Sequence, residues 1–153
     1  RSSDLLLCPD DEDVLAVKRA FFDPFEYLME RHKAGLLKTD FPYPLGKVAW
    51  HVACHQRVQN IGPKTREILS LVPGTEIVTI ERCSGHDGTY GVRTDTYPLA
   101  RKIARPVETR IRQSDAATLT SDCPMAGAHL AHGLDDHPGQ THPVTLLRKA
   151  YGI

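Results

Sequence analysis

Three cysteines, Cys54, Cys83 and Cys123, each follow a strand-like run within two residues. The runs are Lys47-Val-Ala-Trp-His-Val52, Glu76-Ile-Val-Thr-Ile-Glu81 and Ala117-Thr-Leu-Thr-Ser-Asp122. Where parallel strands are neighbours, their carboxyl ends share one edge of the sheet, and open α/β sheets bind ligands at that edge. Three thiols meeting there, with His86 in the same loops, have the makings of a metal or iron–sulfur site.

The clusters differ in what they imply. In His51-Val-Ala-Cys54-His55 side chains alternate faces along the strand, so His51 and Cys54 do not point together until the chain turns. Cys54, at the mouth, reads either as a ligand or as the small buried hydrophobe that free cysteines often are. Cys83-Ser84-Gly85-His86-Asp87-Gly88 places a thiol and an imidazole two residues apart in a glycine-bearing turn. Zinc sites use such short spacings, and Asp87 is suited to orienting an imidazole or binding directly. The bland alternative is a turn with His86 and Asp87 simply solvated. In Cys123-Pro-Met-Ala126 the proline suits a helix start. The positive end of that helix favours thiolate, the form that binds metals. His129 and His132 share a helical face but are expected to be partly exposed rather than ligating. Cys8, His32, His137 and His142 have no company that suggests chemistry.

The elements that must position these groups alternate. Asp10-Asp11-Glu12-Asp13 suits the start of a helix over Val14–Phe22, and Asp23-Pro24 reads as a cap for a second helix to about Lys33. Thr39–Gly46, with two prolines and a glycine, reads as a linker. A strand over 47–52, a polar loop over 53–62 and a helix from Pro63 to about Leu71 follow. Pro73-Gly74 turns the chain into a strand over 75–81, and the loop Ser84–Gly91 holds three glycines whose backbone can wrap closely around a bound group. A helix is expected over Tyr97–Arg112, interrupted at Pro106. A strand over 117–122, a helix over Met125–His132, a loop over 133–140 and a last helix over Val144–Tyr151 complete the chain. The alternation predicts an α/β fold, a mainly parallel Rossmann-like sheet with flanking helices behind an N-terminal helical prelude. The expected division is a connector over 1–46 and a metal-binding domain over 47–153.

Bulk composition limits the function classes. The 153 residues carry 19 basic and 19 acidic side chains, which leaves no electrostatic footprint for nucleic acid. No apolar run approaches the ~20 residues of a membrane span. Four cysteines suit an intracellular protein better than a disulfide-dense secreted module. Arg1–Leu7 is too short and polar for a signal peptide, and a start without methionine suggests a piece of a longer polypeptide or a trimmed terminus.

In order and character, His51-Val-Ala-Cys54-His55, Pro73-Gly74-Thr-Glu-Ile, Glu81-Arg-Cys83-Ser-Gly85 and Ser121-Asp-Cys123-Pro124 resemble one family. This is the cysteine-rich CCG domain found in iron–sulfur subunits of heterodisulfide reductase, glycolate oxidase and anaerobic glycerol-3-phosphate dehydrogenase. The resemblance covers about Lys47 to the end of the chain. The family pattern is one cysteine, then Cys-Cys-Gly, then Cys-x-x-Cys. Cys54, Cys83 and Cys123 match three of these positions, while Ser84 and Ala126 stand at the other two.

The resemblance implies a metal-binding, C-terminal domain of an iron–sulfur oxidoreductase supporting electron transfer. Its ligands would be Cys54, Cys83, His86 and Cys123, with His51, His55 and Asp87 around them. A Cys3His set suits an iron–sulfur cluster or a single zinc or iron ion. Implied partners are ferredoxin-like iron–sulfur domains or subunits and a flavoprotein dehydrogenase. The implied location is the cytoplasm, any membrane association being made through partner subunits. Two other readings stay open: a non-redox assembly domain with zinc or no metal, and a thiol enzyme with Cys83 activated by His86.

Overall fold

The computed structural model describes residues 6–135 and 139–153, so His137 and the middle of the 133–140 loop lie outside the described residues. Contacts divide the chain into two units, Arg1–Leu37 and Lys38–Ile153. The first contains α1 (Glu12–Ala20) and α2 (Pro24–Lys33). Asp11 caps α1 through the amides of Asp13 and Val14. Asp23 caps α2 in a reciprocal box: its carboxylate accepts from the Phe25 amide, and Glu26 accepts from the Asp23 amide. Two acidic-then-apolar stretches thus become helices for the reason their sequence suggests.

The second unit holds β1 (Gly46–His51), α3 (Cys54–Val58), α4 (Lys64–Leu69), β2 (Thr75–Ile80), α5 (Tyr97–Gln113), β3 (Thr118–Ser121), α6 (Pro124–Ala131) and α7 (Pro143–Tyr151). The three strands form a parallel sheet of order β2–β1–β3. The fold is therefore α/β with a parallel sheet flanked by helices, as the strand–helix alternation predicts. Central β1 is buried through Val48, Ala49 and Trp50, which accounts for its unbroken apolar run. Ala49, Ile80 and Leu119 join Ala104, Val107 and Ile111 of α5 in the core.

Two local expectations need correcting. The polar 53–62 segment is not wholly loop: it contains α3, held down by buried Ala53, Gln56 and Ile61. The α5 helix also runs unbroken through Pro106. Its buried stripe, Ala100, Ala104, Val107 and Ile111, continues at helical spacing past the proline. Arg101 pairs with Glu108 two turns on, spanning the site of the missing N–H. Packing on the sheet outweighs the one lost hydrogen bond. Among the described residues no helix is long and apolar enough to cross a membrane.

Candidate metal centre

Strand register fixes where the thiols emerge. His51 at the end of β1 lies opposite Ile80 of β2 and Ser121 of β3, so the three strands finish on one level. Cys54 and Cys83 come three residues past that level and Cys123 two. Neighbouring strands lie about 4.8 Å apart, so the flanking strands end within roughly 10 Å of each other. The topology brings all three cysteine positions to one rim.

Cys54 is the first residue of α3 and is exposed. Cys83 is exposed in the loop after β2, where its Sγ accepts from the Gly85 amide at 3.4 Å. Cys123 is half-buried and caps α6, its Sγ accepting from the Ala126 amide at 3.4 Å, with Pro124 at the first helical position. The helix starts at the proline, as the Cys-Pro sequence suggests. None of the cysteines is in a disulfide.

Two polar networks hold the three loops against one another. His51 is fully buried, its Nδ1 3.1 Å from Ser121 Oγ and its Nε2 2.9 Å from the carbonyl oxygen of Arg82. A carbonyl only accepts, so Nε2 carries the proton and Nδ1 accepts from the serine hydroxyl. Both ring nitrogens are thereby used, tying the residue before Cys83 to β3 just ahead of Cys123. Burial pushes the His51 pKa below the usual histidine value; the Arg82 carbonyl opposes that shift, nearby Arg57 adds to it, and Asp122 also opposes it.

On the other face, Trp50 Nε1 donates to Asp122 Oδ2 at 2.8 Å, and Thr65 Oγ1 donates to Asp122 Oδ1 at 2.7 Å. Gln56 Nε2 donates in turn to Thr65 Oγ1 at 3.1 Å. This chain of bonds links α3, which begins at Cys54, to the residue that precedes Cys123. Sequence reasoning missed Trp50, Gln56, Thr65 and Asp122. The available signal was a tryptophan ending an apolar strand, because its indole N–H needs an acceptor once buried.

The remaining candidates sit around this frame. His55 and Asp87 are exposed. His86 is half-buried, its ring 6.0 Å from that of His129. His129 is only 7% exposed, more buried than its helical spacing suggests, and its Nε2 has no hydrogen-bond partner among the described residues. Burial, followed by the nearby Arg101, lowers its pKa below the usual value. His86, Tyr97, His129 and His132 line a cavity of about 250 Å³. Cys8 belongs to the first unit and is exposed. His142 caps α7.

Among the described residues, no three or more His, Cys, Asp or Glu side chains are grouped so as to hold a metal ion. The rim assembles the backbone positions, while the Cys83 and Cys123 sulfurs accept from amides of their own loop and helix. In donor chemistry the set fits a thiolate-liganded metal group: three unpaired thiols with imidazole nearby. Exposed Cys54 and Cys83 can change rotamer at little cost.

The two positions where thiols are missing from the expected pattern differ from the three that keep them. Ser84 is 1% exposed and Ala126 5% exposed, so both already fill packed interior space. Gly85 is required by a close approach. Its φ is +79°, and a Cβ there would lie 2.2 Å from the carbonyl oxygen of Ala100, so the Cys83 loop is pressed against the backbone of α5.

The cysteine-rich domain family designated CCG matches residues 48–131. The C subunit of anaerobic glycerol-3-phosphate dehydrogenase of Escherichia coli (strain K12) is 32% identical over 110 residues, 71% of this chain and 27% of that protein. An uncharacterised iron–sulfur protein of Methanocaldococcus jannaschii is 32% identical over 104 residues, 67% of this chain and 20% of that protein. The B subunit of a fumarate reductase (CoM/CoB) of Methanothermobacter marburgensis is 28% identical over 93 residues, 58% of this chain and 19% of that protein. The chain thus spans about a quarter or less of the length of these relatives. No solved structure matches it.

Proposed function

The chain belongs to the family of cysteine-rich CCG domains, and from that premise we propose that it is the metal-holding domain of an iron–sulfur oxidoreductase, supporting electron transfer. One observation carries the reading: three thiol-bearing loops leave the same level of a parallel sheet and are braced together by His51 on one face and Asp122 on the other. The iron–sulfur and oxidoreductase-subunit names of the relatives support it.

Cys54, Cys83 and Cys123 supply the thiolates, and His86, turned from its place beside His129, the fourth donor. When bound, the group supplies one-electron redox chemistry. The chain's own residues hold it and fix the spacing of the loops. His51 and Asp122 act on the thiols only through neighbouring residues, while His55 and Asp87 stand at the exposed rim. Residues 47–153 form the metal-binding domain and 1–46 a helical connector. Ferredoxin-like domains or subunits, and a flavoprotein dehydrogenase, are the partners this role calls for.

A second reading, a non-redox assembly domain with zinc or no metal, is favoured by Ser84 and Ala126. Both are buried where the family pattern has thiols, so a five-thiolate group has no full donor set here. Anaerobic purification with iron, sulfide and zinc analysis separates the two. Iron with a visible absorption band, lost in Cys83→Ala, is the expected result. Colourless protein with one zinc, or with neither metal, overturns the redox reading.

A further inference from the structure

Next to the rim, on the Trp50 face of the sheet, lies a cavity of about 400 Å³ whose lining includes Trp50, Gln56, Arg57, Arg66, Thr79 and Glu81. Its size falls within the range of small-ligand pockets. Among the described residues, the guanidinium of neither Arg57 nor Arg66 makes a hydrogen bond or ion pair, so two exposed arginines that line the cavity carry forked cationic donors without a protein partner. Such guanidiniums match the geometry of carboxylate and phosphate oxygens. Glu81 also lines the cavity, and the balance of the three charged side chains is positive.

A second observation is independent of charge. Gln56 is only 1% exposed, and its Nε2 is engaged by Thr65. Its Oε1 has no partner among the described residues, and neither has Thr79 Oγ1. Buried polar atoms are rarely left unpaired, and both residues line the same cavity, so a small side-chain shift would offer two acceptors to a ligand that brings a hydrogen-bond donor.

We propose that this cavity binds a small oxyanion that also carries a donor, its oxygens taken by Arg57 and Arg66 and its hydroxyl by Gln56 and Thr79. The site opens beside Cys54, since Gln56 and Arg57 belong to the short helix that cysteine begins. The proposal does not rest on the metal reading and stands whether or not the rim holds a metal. Carboxylate and phosphate share this chemistry.

Trp50 is the chain's single tryptophan and lines the cavity, so its emission reports occupancy; calorimetry reads the same event if a bound group quenches it. The probes are hydroxymalonate and inorganic phosphate, titrated at constant ionic strength. A saturable change with either supports the proposal, and which one binds identifies the oxyanion. Arg66→Gln should weaken that binding roughly tenfold or more. Arg93→Gln, whose partner is Asp95 and which lies outside the cavity, should not change it. No saturable signal from either probe, or binding that survives unchanged in both Arg57→Gln and Arg66→Gln, overturns the proposal.

Discussion

Replacing Asp122 by alanine removes the acceptor for two donors at once. Trp50 is 1% exposed and Thr65 fully buried, so the indole N–H and the threonine hydroxyl gain little from water in exchange. A buried donor stripped of its partner costs about 1–3 kcal/mol. Asp122 itself is half-buried, which admits some solvent and favours the lower part of the doubled range, about 2–4 kcal/mol for the pair. Asp122→Asn keeps one carbonyl oxygen and turns an NH2 toward the other donor, so about half that loss is expected. Urea unfolding followed by Trp50 emission reports on this unit directly. With a slope near 2 kcal/mol per molar, the alanine variant's midpoint falls by about 1–2 M with the slope unchanged. The reasoning fails if Asp122→Ala unfolds within about 0.5 kcal/mol of the parent, or if the asparagine variant is as unstable as the alanine one.

Gly85→Ala places a methyl against the Ala100 carbonyl and imposes a left-handed backbone on alanine. A loss of about 2–4 kcal/mol in thermal or urea unfolding is expected, and a variant as stable as the parent would refute the close approach. The depressed pKa values of His51 and His129 make stability depend on pH. Below about 6.5 the unfolded chain takes up protons that the folded one refuses, so stability is full above that pH and declines as pH falls toward the lower folded values. His51→Gln should flatten the decline in urea midpoints measured between neutral and mildly acid pH. In metal-free protein, alkylation followed by mass spectrometry should modify exposed Cys54 and Cys83 before half-buried Cys123. Cys123 reacting first would place its sulfur elsewhere.

The backbone was largely legible in advance, for local reasons. Asp23 followed by Pro24 encodes a cap and a first turn within four residues, and the observed helix begins there. Three apolar runs separated by helix-length segments imply parallel pairing because the crossovers have one hand. Cys123 before Pro124 announces a helix start and occupies it. Side-chain assembly was hidden by distance along the chain. Trp50 and Asp122 meet across 72 positions and His51 and Ser121 across 70. No spacing rule reveals that the histidine has both nitrogens occupied, or that His86 lies beside His129. Pro106 misled for a related reason: its local cost is visible in the sequence, whereas the sheet that absorbs it is not.

The separation between brace and donors has an evolutionary consequence. Cys54 and Cys83 are exposed, whereas His51, Trp50 and Thr65 are deep inside and lock the loops through hydrogen bonds to groups other than the sulfurs. A point change at an exposed thiol therefore leaves the architecture intact while altering the set of donors at the rim. Such a scaffold lets descendants change the chemistry of the rim one codon at a time.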